Sequence, residues 1–485
     1  MTIPEQATEA RQVSAADVGL LAREFRGQLL RRDDPGYDAA REIWNAMYDR
    51  HPALIAQCTG VADVVAMVNF ARDGGWLPSV RGGGHGAPGY AVCDDDIMID
   101  MSRLKGIRVD PGRRTARVGA GATWGDFDRE AQLFGLAVPG GTVSTTGVAG
   151  LTLGGGYGWL TRKHGLTLDS LLSVDLVTAD GSAITVSKDS DPELFWAIRG
   201  GGGNFGVVTS FEFRLHDVGP TVLGGTLAWP FYQAHDVLRT YRDYGIQTPE
   251  NLGLSAYIMH APAVAPFPAE LWDQRALVIV ACFNGPIEEG EAVLRPLRAA
   301  GRPALDLIGP ISYTDQQQIL EGTGAAQFGH RSHWKSGYIR NLTDEGIGEF
   351  VEQAGRATSK LTIAELSTID GAPNRVDPKE TSCAKRGGRW NHVQITCWDD
   401  PGEDEEQVAY ARSVAGAMAA HYDGGVYVNF LDVVDQGQIP EAYGEGAWSR
   451  LRATKRRVDP ANLFRRNQNI PPAAGDGSAR PSPTD

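Results

Sequence analysis

The stretch Arg81-Gly82-Gly83-Gly84-His85-Gly86 sets one imidazole among four glycines. A neutral imidazole is a nucleophile at physiological pH. Glycines can turn successive backbone N–H groups toward an anion and let the chain approach a ligand closely. Glycine clusters recur at 119–121, 154–158 and 200–203. One such loop is an ordinary turn; four in under 130 residues point beyond turns, to backbone N–H groups gathered around an anion. Two stretches, Gly84–Gly89 and Gly201–Gly206, also spell GxGxxG. That motif works in nicotinamide-binding folds because its third glycine opens a helix facing the pyrophosphate. Here Pro88 interrupts the first match, and the β-branched, aromatic run VVTSFEFRL follows the second. Both loops therefore feed strands, and the nicotinamide reading fails.

The elements that must position these loops fall into blocks. Ser14 caps a segment with spaced apolar residues (Val18, Leu21, Phe25, Leu29), so residues 1–49 are expected to form a helical cover. From 50 to 216, runs such as DDIMIDMS, TARVGAG and LLSVDLVTAD alternate with glycine turns and the helix VADVVAMVNFARDGG, an α+β pattern. The glycine clusters thin out over 217–421, where strands (ALVIVACF, HVQITCW) mix with helices (EEGEAVLRPLRAA, EEQVAYARSVAGAMAAHY). Residues 422–472 return to strand, loop and helix, and 473–485 form a small polar tail expected to be disordered.

Bulk properties narrow the function classes. The 485 residues exceed one ordinary core and suggest an interrupted domain. A net charge of -14 opposes a nucleic-acid surface. The five cysteines are scattered without CxxC spacing, which signals neither a disulfide framework nor a metal site. The polar, acidic N-terminus lacks the form of a signal peptide, and no run is long enough for a membrane span, so a cytoplasmic protein without membrane contact is expected. A homodimer is the one assembly considered.

VRGGGHGAPGYAVCDDDIMIDMSRLKGI, TVSTTGVAGLTLGGGYGWLTRKHGLTLDSLLSVDLVTADG and DPELFWAIRGGGGNFGVVTSFEFRL together resemble the FAD domain of berberine-bridge-enzyme-like oxidases, in the vanillyl-alcohol oxidase superfamily. YVNFLDVV, Tyr443, Lys455, Asp459-Pro460-Ala461-Asn462 and Gln468-Asn469-Ile470-Pro471 resemble the closing motif of that family. The resemblance implies an α+β fold in which a two-part FAD domain, 50–216 plus 422–472, is split by an inserted α/β substrate domain with an antiparallel sheet covered by helices. It also implies an 8α-histidyl bond from His85 to the flavin. Many relatives add a cysteinyl link, but Val143 stands at the matching position, so a single attachment is expected. Further cofactor contacts carried over are Arg81, Gly82, Gly83, Gly84, Gly86, Gly154, Gly155, Gly156, Gly158, Val207, Val208, Gln468 and Asn469. Arg162, Lys163 and His164 are considered for flavin or phosphate charge.

The implied chemistry is hydride transfer from a C–OH or C–N bond of a small molecule (a sugar, a secondary-metabolite alcohol or a cyclic amine) to FAD, with O2 as acceptor and H2O2 as product. A base is then useful. The resemblance offers Tyr427, which would need a depressed pKa, with Asn429 orienting substrate or flavin. The strand Trp390–Trp398 is similar to one that supplies a glutamate or tyrosine in relatives. It has neither, but alternation puts His392, Gln394 and Thr396 on one face, and His392 or Gln394 is considered to reach the flavin. Competing readings are a dehydrogenase with a non-oxygen acceptor and a flavin- or ligand-binding protein without turnover.

Overall fold

The computed structural model describes residues 12–323, 326–383, 386–432 and 437–474. Residues 1–11 and the expected tail from 475 onward lie outside the described residues.

Short β-branched runs between glycine turns build two small sheets. In the first, the order is Gln28–Leu30, Leu54–Gln57, Ile97–Asp100, Ser79–Arg81. The last three strands are parallel, with the amphipathic helix Val61–Asp73 in the crossover between Leu54–Gln57 and Ser79–Arg81. The second sheet is antiparallel, in the order Ile107–Asp110, Thr115–Gly119, Val207–Arg214, Leu171–Val177, Ala183–Ser187. One apolar core spans both sheets and takes in Leu451, Phe464 and Ile470 from the far end of the chain. A buried polar clasp reinforces that union. Lys455 Nζ donates to the carbonyls of Asn204 (2.6 Å) and Phe464 (2.9 Å) and pairs with Asp459 (2.7 Å). Asn204 in turn donates to the Gln468 carbonyl (3.0 Å) and accepts from the Ile470 amide (2.9 Å).

Residues 221–398 supply a third, eight-stranded antiparallel sheet. Its main path runs Leu305–Asp306, Thr221–Pro230, Arg275–Phe283, Leu252–His260, Ile363–Thr368, Trp390–Trp398, Arg331–Ile339. Helices Ala234–Gly245, Ile287–Arg298, Asp344–Gly355 and Asp404–Met418 pack their apolar sides on one face. The opposite face packs against Ala137, Trp159, Leu160 and Phe430 of the first body. Arg162 pins the two bodies together: it is buried, pairs with Asp370 (2.6 Å) and donates to Thr248 Oγ1 and the Leu252 carbonyl (2.7 Å each).

Two local expectations differ from the structure. Between helices Ala15–Leu21, capped by Ser14, and Tyr37–Arg41, the chain forms a strand, Gln28–Leu30, on the edge of the first sheet. Gly27 makes this geometry accessible, because a Cβ there would collide with the Gln57 carbonyl. The segment expected to return as a strand at 426–432 instead makes one tight turn, Val428–Phe430, because Asn429 donates to the Leu151 carbonyl (3.2 Å) and to the Tyr427 hydroxyl (2.9 Å).

No helix among the described residues is long and apolar enough to cross a membrane.

Candidate active site

A cavity of about 340 Å³ opens between the glycine loops of the first body and the inner face of the large sheet. Gly82, Gly83, Gly84 and Gly86 line it, as do Gly147, Gly150, Gly202, Gly203, Val207, Val208 and Gln468. Glycine is required here for two separate reasons. Gly83 and Gly147 cross backbone on backbone, so that a Cβ on Gly83 would lie 2.5 Å from the Gly147 Cα. Around Gly86 and Gly150, by contrast, a Cβ would meet nothing within 4 Å, which is the open space a ligand needs. Beside Gly203, the buried Asn467 Oδ1 has no partner. A glycine-walled channel with an orphaned polar atom fits a long, phosphate-bearing cofactor.

His85 sits on this wall in an aromatic setting. Its ring stacks on Trp44 (5.1 Å, 19°), meets Phe328 edge-on (5.8 Å) and lies with Nε2 3.2 Å from Thr145 Oγ1. Loss of bulk water lowers its pKa to about 4, so the imidazole is neutral at pH 7 with a lone pair available. The rings continue from Trp44 to Trp334 (5.5 Å), Phe430 (5.0 Å) and Tyr157 (6.0 Å). Val143 lines the same cavity, and no cysteine does among the described residues.

Several expected cofactor contacts lie elsewhere. The Arg81 guanidinium turns away, to the Ala40 carbonyl and the buried Asp100 (3.8 Å). Gly154, Gly155, Gly156 and Gly158 do not line the cavity; Cβ atoms there would strike Asn429, the Tyr427 ring, Thr167 and the Gly140 carbonyl. They are glycines for packing, while their neighbours Ala149–Leu151, Leu153 and Tyr157 line the cavity. Asn469 is likewise absent from the lining. Arg162 belongs to the junction described above, Lys163 binds Asn284 (2.9 Å) and His164 stacks on His216 (4.2 Å), so none serves the cavity.

The large sheet presents three rungs of side chains to the cavity side. Register puts Ser255, Ser367 and Asn391 in the first, Tyr257, Glu365 and Val393 in the second, and Met259, Ile363, Ile395 and Trp334 in the third. His392 and Gln394 therefore point the other way, into the helix layer. His392 Nδ1 lies 2.7 Å from the Tyr422 hydroxyl beside Phe350, with its pKa lowered to about 3 by burial; Gln394 reaches only Thr396 (3.4 Å). Neither lines the cavity. Tyr427 does not line the cavity either. Its hydroxyl accepts from the Gly156 amide (2.6 Å) and from Asn429, and burial raises its pKa instead of depressing it. Asn429 does line the cavity.

The carboxylate that sequence reasoning missed is Glu365. It is buried, faces the cavity, and accepts from the Ser367 hydroxyl, which is itself bonded to Ser255 (2.8 Å). Removal from water raises its pKa to about 7, poised for proton transfer at neutral pH. Tyr157, held by Asn391 Nδ2 (2.8 Å), and Tyr257 stand beside it, their pKa values raised by burial and by its charge.

Comparison with known proteins decides the lineage. A family described as "FAD binding domain" matches residues 52–187, and one described as "Berberine and berberine like" matches 426–471. The chain is 32% identical over 465 residues to (R)-6-hydroxynicotine oxidase of Paenarthrobacter nicotinovorans, covering 92% of this chain and 97% of that one. This chain belongs to the berberine-bridge-enzyme-like FAD-linked oxidoreductases. The crystal structure of 6-hydroxy-D-nicotine oxidase from Arthrobacter nicotinovorans superposes with a TM-score of 0.83 at 30% identity, covering 92% of this chain and 98% of that one. A chitooligosaccharide oxidase shares the fold at TM-score 0.81, 22% identity and 94% and 99% coverage. As a member of this FAD-linked family, the chain would hold the cofactor through Gly82–Gly84, Gly147, Gly202, Gly203, Val207, Val208 and Gln468. Bound there, FAD supplies a two-electron acceptor. On the facing sheet, Glu365 is the carboxylate that lines this cavity, with Tyr257, Ile363 and Ile395 from the same rungs beside it.

Proposed function

We propose that the chain is an oxidase that removes a hydride from a C–OH or C–N bond of a small molecule, using FAD joined through His85 and passing the electrons to O2 to give H2O2. The observation that carries this reading is one continuous cavity with the neutral His85 on its glycine wall and Glu365 on the facing sheet. Glu365 takes the proton that must leave oxygen or nitrogen as the hydride leaves carbon. Electrostatic neutrality at His85 favours alkylation over protonation.

The test is the visible spectrum of the purified protein before and after acid precipitation, with His85→Ala alongside. Yellow colour retained in the parent pellet and washed from the variant is expected. Colour washed from both sinks the covalent bond. Anaerobic bleaching by a substrate, followed by recolouring in air with peroxide release, is expected of an oxidase; bleaching that air does not reverse points to a different acceptor.

A further inference from the structure

Glycines make the loop that carries His85 pliable. Gly82, Gly83, Gly84, Gly86 and Gly89 all lie in it, and Gly84 and Gly89 sit at φ +69° and +65°. The Thr145 hydroxyl, 3.2 Å from Nε2, touches the imidazole at one point, and one point does not fix a plane. The restraint comes from a single stretch, residues 44–50. The Trp44 amide donates to the Gly84 carbonyl (3.0 Å), Asn45 Nδ2 to the Ala87 carbonyl (2.7 Å) and Arg50 Nη1 to the Gly89 carbonyl (2.8 Å). Carbonyls on both sides of His85 are thereby held from outside the loop.

Asn45 is wholly buried and uses its full hydrogen-bonding capacity in this bracket. Besides the Ala87 carbonyl, Nδ2 donates to the Ser332 carbonyl (2.8 Å), while Oδ1 accepts from the amides of Ser332 (3.0 Å) and Met47 (3.1 Å). The side-chain amide thus pairs with Ser332 as a neighbouring strand would, on the strand Arg331–Ile339 that ends the large sheet. The Ala46 amide adds a bond to the His330 carbonyl (3.0 Å). The His85 loop is therefore registered against the sheet that faces it. Trp44 does the same with its ring. The terminal torsion of a histidine is broad, so an imidazole alone samples many planes. Here the buried indole lies flat on the imidazole (5.1 Å, 19°) and meets Trp334 of the same strand edge-on (5.5 Å, 87°).

We propose that Trp44 and Asn45 are positioning residues for flavin attachment: Asn45 fixes the His85 loop against the large sheet, and the Trp44 indole sets the plane of the imidazole before the cofactor enters. The attachment rests on the reading of covalent FAD above; the orientation of the ring is a separate claim. In the attachment step the lone pair of an imidazole nitrogen forms a bond to the carbon of the flavin 8-methyl group. One proton leaves that methyl and one leaves the imidazole. The electron pair of the broken C–H bond stays on the flavin as a two-electron reduction, and O2 takes it up to give H2O2. Bond formation of this kind is sensitive to displacements of about 1 Å, so a ring held in one plane reacts faster than one that turns.

The experiment follows attachment in the full chain, produced flavin-free in a riboflavin-starved host and then supplied with FAD. Bound flavin is read by absorbance after desalting, and attached flavin by the colour of the acid pellet over time. Trp44→Leu is expected to bind FAD as the parent does and to attach it at least about tenfold more slowly. Trp44→Phe, which keeps a ring to stack on, should recover most of the parent rate. Asn45→Ala, which frees the loop, should be slowed like Trp44→Leu. Attachment at the parent rate in Trp44→Leu or Asn45→Ala overturns the proposal, as does equal slowing in Trp44→Leu and Trp44→Phe. If Trp44→Leu retains no FAD, or the parent holds FAD without a covalent bond, proton NMR of the flavin-free chains decides. The His85 Hε1 resonance, assigned by its absence from His85→Ala, must lie upfield in the parent and move downfield in Trp44→Leu; an unmoved resonance overturns the orientation. A displaced resonance with a colourless parent pellet upholds the orientation and overturns the covalent reading.

Discussion

The two walls of the cavity are made by opposite means. The cofactor wall works by what is missing: at Gly83 and Gly147 the backbones touch because neither residue has a side chain, and at Gly86 and Gly150 the empty space is the site. The substrate wall works by what is present, one side chain from each of several strands, with Tyr257, Glu365, Ile395 and Trp334 brought together by register alone. The first kind of wall tolerates no additions. The second is open to change one residue at a time.

Substitutions can break this contrast or sharpen it. The largest effect is expected from Gly83→Val, whose Cβ must displace the Gly147 backbone. A cost of about 3 kcal/mol or more and loss of bound flavin are expected, read by thermal melting and flavin absorbance. Glu365→Gln should instead keep the flavin and slow anaerobic flavin reduction by roughly 100-fold or more, measured by stopped flow. Equal flavin loss in both variants would erase the distinction between the walls.

The pH dependence is the next effect in size. Glu365 is shifted upward, to about 7, so the ionised base and hence the reduction rate rise with pH through that value. Tyr157 and Tyr257, which face it, are shifted upward too and stay protonated throughout. For stability the sign is opposite. The native carboxyl holds its proton to higher pH than the unfolded one, so stability falls as pH rises from the ordinary carboxyl range through about 7. Glu365→Gln should therefore be more stable than the parent by about 1–3 kcal/mol above neutrality and lose that advantage in acid, read from denaturant midpoints at the two pH values. The smallest catalytic effect is expected from Tyr427→Phe. Its lost hydroxyl strands the Gly156 amide and Asn429, costing about 1–3 kcal/mol of stability. Flavin reduction should change by less than about tenfold. A larger drop would return Tyr427 to the chemistry.

The same contrast explains what the sequence made legible. Glycine loops and His85 are contiguous, and their meaning lies in residue types at short spacing. The split α+β fold follows from the same motifs together with the closing segment. Glu365 was hidden because Ile363–Thr368 is buried on both faces, between helices on one side and the first body on the other, so alternation carries no label for inside or outside. The strand Trp390–Trp398 has the same ambiguity. The polar set His392, Gln394 and Thr396 looked like the working face, whereas Asn391, Val393 and Ile395 face the cavity side. Gly154–Gly156 were legible as indispensable but not as packing, since a glycine spared for a neighbour's side chain and one spared for a ligand look alike in a string. Trp44 and Phe328 carried no signal, coming from segments far apart in the chain.

The clasp of Lys455, Gln468 and Ile470 on Asn204 also sets an order of events during synthesis. A nascent chain displays the glycine loops early, but the core that supports them lacks Leu451, Phe464 and Ile470 until the last of the described residues have left the ribosome. The intervening sheet, contiguous in sequence, can take shape first. A chain truncated before this clasp keeps its glycine loops and lacks the residues that close their core.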